Sequence, residues 1–519
     1  MEISRQNLIL INANMITLDP LCPQASWVVI KNEKIVTVGK GNDWKTYKNN
    51  HSRIIDCHGK TVIPGLMDAH LHLVSYAKSL VIADISPAGN VHSISDIQSI
   101  IKNESQKRPA GQWILARGYN DFYLSEKRHP DRRDLDKAAP DHPVRLAHRS
   151  GHAHVLNSRA LNLVGITRET GDPEGGIIER DLKTGDPTGL LYEMGDYISE
   201  KIPPLSPADL ASGLGDANRE LVSRGVTSIQ DASSRNNIDQ WLRVKSWKES
   251  GLLQPRVNLM MGISAFQKSS GNYPLGGLDH HQLRLGAVKI ILDDTTGRLH
   301  PGQPELNAMV LEVHQARRQI AIHALEEDAV KAACEAIRFA LEKLPAKDHR
   351  HRIEHCSVCP PDLARTIASL GIAVVTQPAF IYFHGERYLA TVADEQLKHL
   401  YPIKTLLDQG INVAASSDCP IVPPDPLFGI NAAMHRLSEA GDIVGGNQRI
   451  RPGAALQMYT LNAARATFEE TIKGTITKGK LADLVVLNAD PIRPTADAFK
   501  SLQVEMTIIG GKVVWEKER

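Results

Sequence analysis

The chain has 519 residues, of which 42% are hydrophobic and 23% are charged, and its formal net charge at pH 7 is +1. This composition is typical of a globular protein, and a charge so close to zero gives no bulk attraction to nucleic acid or to an anionic membrane surface. No run of about 20 apolar residues indicates a transmembrane helix, and the N-terminus lacks the apolar core of a signal peptide. We therefore expect neither nucleic acid nor a membrane as a partner.

The six cysteines are too sparse to form a disulfide framework in a chain of this length. Cys356 and Cys359 make a single C-x-x-C, and no second pair exists that would complete a zinc knuckle. The sequence therefore predicts reduced thiols, which favours a cytoplasmic protein.

Residues 1–62 are predicted to form short antiparallel strands. Apolar and polar residues alternate in SWVVIKNEKIVTVG, and the Asn-Glu pair in its centre is a hairpin signal. Residues 466–519 have the same character, with Gly510-Gly511 as a second hairpin turn. We predict that the two ends of the chain build one small β-sandwich that closes around a central domain at 63–465.

The segment Thr61–His72 ends in two histidines separated by one residue. Side chains alternate between the faces of an extended strand, so His70 and His72 point to the same side and can share one metal ion. Asp68 has the same parity and is predicted to orient one of these ligands from behind. The alternative, two surface histidines near a turn, is disfavoured because the run before them is apolar enough to be buried.

The segment from about 75 to 204 is too long to be an ordinary connection between a barrel strand and its helix. It contains strand-like runs of its own, WILARGY and PVRLAHRS, and a stretch rich in Gly, Asp and Pro. We predict a small inserted α/β subdomain after the first barrel strand, lying over the C-terminal mouth of the barrel.

The remainder of the central domain alternates apolar runs with segments of helical periodicity. Runs such as GVTSIQDAS, RLGAVKIILDD, QIAIHALE and INVAASSDCP are rich in apolar residues, as is typical of a buried parallel sheet. With the strand before His70 they number eight, which favours an α/β fold with a closed (β/α)8 TIM barrel over an open doubly wound sheet. No G-x-G-x-x-G opens any of the helices, which argues against a dinucleotide site.

Lys289, His323, His355 and Asp418 lie at or near the ends of four different predicted strands. Taken singly, each has a structural explanation, such as a hydrogen-bonded core histidine or a turn-forming aspartate. In a barrel of this kind the C-terminal ends of the strands form the active site, so all four are expected at the same mouth as the His-x-His pair. We interpret the combined set as a metal site.

The motifs PGLMDAHLH, AIHA, HRIEH and SSD resemble those of the amidohydrolase superfamily of metal-dependent hydrolases. The wider sequence, including GHAHVLNSRALNLVGIT, PTGLLYE, TQPAF and KGTITKGKLADLVVL, is similar to amidohydrolase family 3, a branch that includes N-substituted formamide deformylases. The resemblance covers nearly the whole chain. It implies a TIM-barrel enzyme that acts on a small molecule, and a homo-oligomer, either a dimer or a tetramer.

The resemblance also implies a role for each candidate ligand. Such centres hold one or two divalent metals, for which zinc is the expected ion, although iron, manganese or cobalt also suit nitrogen and oxygen ligands. The lysine must be carboxylated to act as a ligand, because an ammonium group has no lone pair. The implied ligands are His70, His72 and Asp418 for the more buried metal, carboxylated Lys289 as the bridge, and His323 and His355 for the second metal.

Four residues are predicted to contact the substrate. His152 and Tyr119 lie in the insertion, Gln377 follows a barrel strand and is predicted to donate to the substrate carbonyl, and Asp293 shares strand parity with Lys289. Alternatives remain open for three of them: His152 could shape a glycine turn, Tyr119 could be a core residue, and Asp293 could support the lysine.

Two further details of the strand ends lead to predictions. The chain has Asp294 where the family has a small residue of an Asp-Gly-Ser-like run, so the loop shape there is predicted to differ. Arg352 and Glu354 have opposite strand parity to His355, which predicts a structural ion pair on the outer side of the barrel.

The predicted reaction is hydrolysis of a C–N bond in a non-peptide amide, with an N-substituted formamide as one candidate substrate. A metal-bound hydroxide would attack the acyl carbon, and Asp418 would act as the general base that returns the proton to the leaving nitrogen. Two alternatives remain open. The same metal site could act on a cyclic amide, a carbamate or an aminated ring, as in a deaminase, or the chain could be a non-catalytic barrel homologue, which the complete ligand set disfavours.

Overall fold

The computed structural model describes residues 7–173, 175–269, 281–293, 298–492 and 501–518, apart from the side chains of residues 88 and 196. The chain divides into two compact units, one formed by Met1–Leu73 with Ala217–Arg519 and the other by Val74–Asp216. The second unit interrupts the first shortly after the first barrel strand, where the sequence predicts an insertion at about 75–204.

Seven short strands precede the barrel. The turn Asn32-Glu33 has positive φ at both residues, 49° and 67°, as the two-residue turn of a tight β-hairpin requires, and it joins the fourth and fifth strands in antiparallel pairing. The strands are β1 Leu8–Ile11, β2 Asn14–Ile16, β3 Gln24–Ala25, β4 Trp27–Lys31, β5 Lys34–Gly39, β6 Arg53–Asp56 and β7 Thr61–Pro64.

The first barrel strand, β8 Leu66–Leu71, is buried along its whole length and leads into helix α1 Leu73–Ser79. The inserted unit that follows has its own sheet and its own apolar core. Its strands are β9 Ala83–Asp84, β10 Ile114–Tyr119, β11 Val144–His148, β12 Ala153–Leu156, β13 Ile177–Arg180 and β14 Pro187–Tyr192, in the order β13-β14-β12-β11-β10-β9. Its helices are α2 Ile94–Gln106, α3 Arg132–Ala138, α4 Ser158–Val164 and α5 Gly195–Lys201, and α6 Pro207–Ser223 leads back to the barrel.

Seven further strands complete an eight-stranded parallel sheet, which confirms the predicted TIM barrel. Most of their residues are buried, because the sheet is covered on both faces. The strands are β15 Val226–Asp231, β16 Arg256–Gly262, β17 Leu283–Ile291, β18 Ile320–Ala324, β19 Arg352–His355, β20 Ala373–Thr376 and β21 Val413–Ala415. They pair in chain order after β8, from β15 to β21.

Backbone hydrogen bonds join the first and last barrel strands just beyond their ends. The amide N–H of Asp418 donates to the carbonyl of His70 over 2.9 Å, and the amide N–H of His72 donates to the carbonyl of Cys419 over 2.8 Å. These two bonds bring the His-x-His pair and the loop after β21 to the same edge of the barrel.

Helices cover the outside of the barrel and follow the expected amphipathic pattern. In the helix after β18, Ala329, Ala333, Ala336 and Ala340 recur on one face and are fully buried. The helices are α7 Ile238–Glu249, α8 Ile263–Lys268, α9 Gln303–Gln315, α10 Glu327–Lys343, α11 Pro361–Ser369, α12 Phe380–Phe383, α13 Gly385–Thr391, α14 Asp394–Leu397, α15 Ile403–Asp408, α16 Pro426–His435, α17 Pro452–Met458 and α18 Leu461–Arg465. Among the described residues, no helix is both long enough and apolar enough to cross a membrane.

The C-terminal strands β22 Leu484–Leu487, β23 Val504–Ile509 and β24 Lys512–Glu516 join the N-terminal ones. They form a six-stranded sheet in the order β24-β23-β22-β7-β2-β3, beside a four-stranded sheet in the order β5-β4-β1-β6. One apolar core contains residues from both sheets, among them Leu10, Val28, Met15 and Leu484. Both chain ends therefore build one β-sandwich, as predicted.

A buried ion pair connects this sandwich to the barrel. Arg256, the first residue of β16, is 2% exposed, and Asp483 directly precedes β22. The arginine donates from Nε and Nη2 to the two carboxylate oxygens over 2.7 and 3.0 Å. The amide N–H of Gly510 donates to the same carboxylate over 2.8 Å.

Candidate metal centre

The six side chains predicted as metal ligands lie in or directly after the barrel strands, towards the strand ends. Parallel strands all end at the same side of a barrel, so these residues belong to one mouth. His70 lies in β8 and His72 follows it, Lys289 lies in β17, His323 in β18 and His355 at the end of β19, and Asp418 follows β21.

The densest part of the site consists of His70, His72 and Asp418. One nitrogen or oxygen atom from each of these side chains lies within 4.8 Å of those of the other two. Among the described residues, no other group of three or more histidine, cysteine, aspartate or glutamate side chains meets this distance condition. Oδ1 of Asp418 lies 3.0 Å from Nε2 of His72 and 3.4 Å from Nε2 of His70. A single cation can bridge atoms at this spacing.

Two more histidines extend this cluster. The ring of His355 lies 4.9 Å from that of His70 and 4.4 Å from that of His323, measured between centroids. Nδ1 of His355 is 4.0 Å from Oδ2 of Asp418. The structure therefore brings the imidazoles of His70 and His355, from β8 and β19, next to the carboxylate of Asp418, and it places His323 of β18 against His355.

The Nδ1 atoms of three of these histidines have polar partners, and for His70 and His355 the partner is an acceptor, which leaves Nε2 available. A carboxylate or amide oxygen only accepts, so the imidazole must carry its proton on the Nδ1 that faces it, and Nε2 then keeps its lone pair. The partners are Glu354 for His70 at 2.5 Å, Gln377 for His355 at 2.9 Å and the hydroxyl of Ser233 for His72 at 3.1 Å.

Unpartnered buried atoms support the fit to a cation. Nε2 of His70, Nε2 of His355 and Nζ of Lys289 are buried and have no hydrogen-bond partner among the described residues. Buried polar atoms normally have partners, and imidazole nitrogens without one at the same mouth fit the coordination of a cation. The donor set, three or four imidazoles with a carboxylate, suits a divalent transition metal.

Burial and neighbouring charges together set the protonation of these groups. Burial, together with the charge of Lys289, lowers the pKa of His70 to about 3, so its imidazole is neutral at pH 7. Burial would raise the pKa of Asp418, but His70 and His72 outweigh it and lower that pKa, so the side chain is a carboxylate. Burial lowers the pKa of Lys289 to about 8, which gives a fraction of neutral amine near physiological pH.

The prediction for Arg352 and Glu354 was right about the ion pair and wrong about its location on the outer side of the barrel. Both side chains are fully buried inside the barrel, where Glu354 hydrogen-bonds His70 and both nitrogens Nε and Nη2 of Arg352 donate to Glu354. The parity argument fails at the strand end, because His355 and Cys356 have φ values of 73° and 51°, in the left-handed region. This change of backbone direction lets neighbouring residues of one strand both reach the site.

The structure also corrects the role predicted for Asp68. Its carboxylate forms no hydrogen bond with an imidazole of the described residues. It accepts hydrogen bonds from the Ser417 hydroxyl at 2.5 Å and from the backbone N–H groups of Ser417 and His70, both at 3.2 Å. Burial raises the pKa of Asp68 to about 6. Asp68 therefore fixes the loop that carries Asp418, and the carboxylate that contacts the His70 ring is that of Glu354.

Two of the predicted substrate contacts lie in the barrel unit. Gln377 is fully buried, accepts from His355 and donates to the Ser416 hydroxyl over 3.0 Å, so it supports a ligand. Asp293 forms a two-way backbone bridge with His300, with distances of 2.9 and 2.8 Å. Asp294 lies outside the described residues. Contact of Gln377 and Asp293 with a substrate stays a prediction.

The other two predicted substrate contacts, His152 and Tyr119, lie in the inserted unit. Nδ1 of His152 is 2.8 Å from a carboxylate oxygen of Glu193, and the imidazole is 43% exposed. Tyr119 is fully buried in the core of this unit, and its hydroxyl lies 3.0 Å from Nδ1 of His129. The burial agrees with the alternative of a core residue for Tyr119, and contact of His152 with a substrate stays a prediction.

Comparison with known proteins identifies the family of the chain. A sequence profile of the amidohydrolase family, Amidohydro_3, matches residues 53–515. The chain is 29% identical to the amidohydrolase YtcJ of Bacillus subtilis, over 91% of this chain and 92% of that protein. It is 28% identical to the N-substituted formamide deformylase of Arthrobacter pascens, over 99% of both chains.

A solved structure extends the similarity to three dimensions. The crystal structure of an uncharacterized metal-dependent hydrolase from Pyrococcus furiosus covers 94% of this chain and 100% of its own, with a TM-score of 0.73 and 25% sequence identity. The similarity thus includes the terminal β-sandwich as well as the barrel.

Proposed function

Because the chain belongs to the amidohydrolase family, we propose that it hydrolyses a C–N bond in a non-peptide amide and that N-substituted formamides are its substrate class. The observation that carries the proposal is the cluster of His70, His72, His355 and Asp418 at one barrel mouth, with buried imidazole nitrogens that lack partners among the described residues. The full-length similarity to a formamide deformylase supports the choice of bond and of substrate class.

The proposal includes a centre of one or two zinc ions, with iron, manganese or cobalt as alternatives. When bound, such a metal supplies a Lewis acid for the substrate carbonyl and lowers the pKa of coordinated water to roughly 7. The neutral imidazoles and the amine of Lys289, whose pKa is about 8, support this assignment, because carbon dioxide adds to the neutral amine. The proposed ligands are His70, His72, carboxylated Lys289, His323, His355 and Asp418.

Asp418 is the proposed general base. Its carboxylate is 7% exposed, is ionised at neutral pH and is held next to His72, so it can accept a proton from the attacking water. It then returns the proton to the leaving nitrogen, so that the product leaves as an amine. A positioned general base contributes about 10²–10⁴-fold to the rate.

A substrate panel tests the choice of bond. N-formyl alkylamines and N-formyl arylamines are compared with cyclic imides, carbamates and aminopurines, each with protein loaded with zinc, manganese or cobalt. The proposal expects the highest kcat/KM for an N-formylamine. A clear preference for a ring substrate or a carbamate would replace it with the corresponding cyclic amidase, carbamate hydrolase or deaminase, and no turnover of any class would favour a non-catalytic homologue.

Substitution of Asp418 tests the mechanism. Asp418→Asn removes the base but keeps the size of the side chain, so we expect kcat to fall by about 10²–10⁴-fold while metal content is retained. Asp408→Asn, at a largely exposed aspartate paired with Lys404, is the matched control and should leave kcat unchanged. Full activity of the Asp418 variant would exclude the assigned role.

The proposal also includes a cytoplasmic homo-oligomer, either a dimer or a tetramer. Light scattering of the purified chain measures its mass against the 57.0 kDa of one subunit. A monomer would refute the oligomer, and fractionation of expressing cells tests the location.

A further inference from the structure

Glu354 is a buried carboxylate that the proposed reaction does not use. It is fully buried on β19, one residue before His355, and its Oε2 lies 2.5 Å from Nδ1 of His70. The two residues are 284 positions apart in the sequence, so the contact exists only in the assembled barrel. A charged group in this position needs a compensating cation.

Arg352 supplies that cation and fixes the position of the carboxylate. It is fully buried and donates from Nη2 to Oε2 of Glu354 over 3.0 Å and from Nε to the other oxygen. It also donates to Oε1 of Gln230 over 2.5 Å and to the carbonyl of Ala69 over 2.8 Å. Glu354 is thereby held through groups on three barrel strands, β8, β15 and β19.

We propose that Glu354 is a positioning residue, which holds the proton on Nδ1 of His70 and aims Nε2 of that imidazole at the metal. The inference rests on the metal centre of the proposed function. Arg352 acts one step further back, because it keeps the carboxylate charged and in place. Without Glu354, the His70 ring is free to rotate and to carry its proton on Nε2, which cannot then bind a cation.

The contact between His70 and Glu354 differs in charge from the corresponding contacts of His72 and His355. Ser233 and Gln377, the hydrogen-bond partners of Nδ1 in His72 and His355, are neutral, whereas the hydrogen-bond partner of Nδ1 in His70 is a carboxylate. A carboxylate behind an imidazole makes its free nitrogen a stronger donor than a neutral acceptor does. His70 is also 1% exposed, so water offers it no substitute partner.

Zinc affinity of the full-length chain tests this role. Zinc-loaded wild type, Glu354→Gln and Glu469→Gln are titrated with a chromogenic chelator that competes for the metal. Glu469 is a matched control, because it is also a buried glutamate paired with a cation, Lys473, at 3.0 Å. We expect the Glu354 variant to hold zinc about 10–100-fold more weakly, and the control to match wild type.

A second readout separates positioning from general destabilisation. Cobalt-loaded protein reports ligand geometry through its visible absorption, which should change in Glu354→Gln and not in Glu469→Gln. If Glu354→Gln does not fold, Glu354→Asp keeps the charge but withdraws the carboxylate by one methylene, and it should weaken zinc binding in the same direction.

The outcomes are distinct. Equal zinc affinity and equal cobalt spectra for wild type and the Glu354 variants overturn the inference and leave the proposed function intact. An equal loss of affinity in the Glu354 and Glu469 variants also overturns it, because the effect would be general. Failure of the wild type itself to hold zinc or cobalt refutes the metal centre of the proposed function, and the inference with it.

Discussion

Arg352 offers a quantitative test of the buried network beneath the site. In Arg352→Met the side chain keeps its bulk but loses its charge and its donors, so the carboxylate of Glu354 stays buried with His70 as its hydrogen-bonded partner. Removal of one partner from a buried ion pair costs about 3–5 kcal/mol. Coulomb's law gives about 4 kcal/mol for two unit charges 4 Å apart at an effective dielectric constant of 20, which agrees with that range.

Urea unfolding of the chelator-treated chain, followed by circular dichroism, measures this loss. We expect Arg352→Met to lower the free energy of unfolding by about 4 kcal/mol. The double variant Arg352→Met/Glu354→Met should lose less than the single one, since no charge is stranded. Arg338→Met, at the exposed pair with Glu335, is the control and should cost about 1 kcal/mol or less.

Two results would refute this reasoning. A loss below about 1 kcal/mol in Arg352→Met would mean that the network does not depend on the arginine charge. A double variant that is less stable than Arg352→Met would mean that packing, and not charge compensation, determines the cost.

The remaining predictions concern Lys289, the proposed bridging ligand, and the ion pair between Arg256 and Asp483 that connects the barrel to the β-sandwich. If the wild type holds about two equivalents of metal per chain, as a bridging carboxylated Lys289 requires, Lys289→Ala should reduce the content measured by elemental analysis to about one; unchanged content would remove Lys289 from the ligand set. Arg256 outweighs burial and lowers the pKa of Asp483, so the pair stabilises the fold above the unfolded pKa of about 4, and this contribution is lost as pH falls through the lower folded value. Stability measured from pH 7 to pH 2 should therefore fall less steeply in Asp483→Asn than in wild type, and identical slopes would contradict the assignment.

Much of the barrel could be predicted because its strands are buried on both faces. Burial requires nearly continuous apolar runs, so polar residues within them, such as His70, Lys289 and His323, stand out in the sequence. His70 and His72 still reach one site, with ring centroids 5.3 Å apart, although the pairing of β8 with β15 contains two register shifts. The two-residue hairpin at Asn32-Glu33 was predictable from local sequence alone.

The predictions failed where the backbone leaves regular geometry. His355 and Asp418 both have positive φ, 73° and 58°, and side-chain alternation does not continue through such residues. A parity count therefore placed Glu354 on the wrong side of the barrel wall. No residue type at these positions signals the change, since neither is a glycine.

The hydrogen-bond partner behind each of these histidines could not be predicted from local sequence, because it comes from another part of the barrel. Asp68 was the local candidate behind His70, but a side chain two residues away along one strand lies beside the imidazole and not behind it. The group behind His70 must come from the barrel interior, and such a group is a buried charge that needs its own counter-ion. Arg352 and Glu354 are spaced by two residues in β19, a strand that is buried at every residue, and they therefore form an ion pair inside the barrel against a proposed metal ligand and not on its outer side.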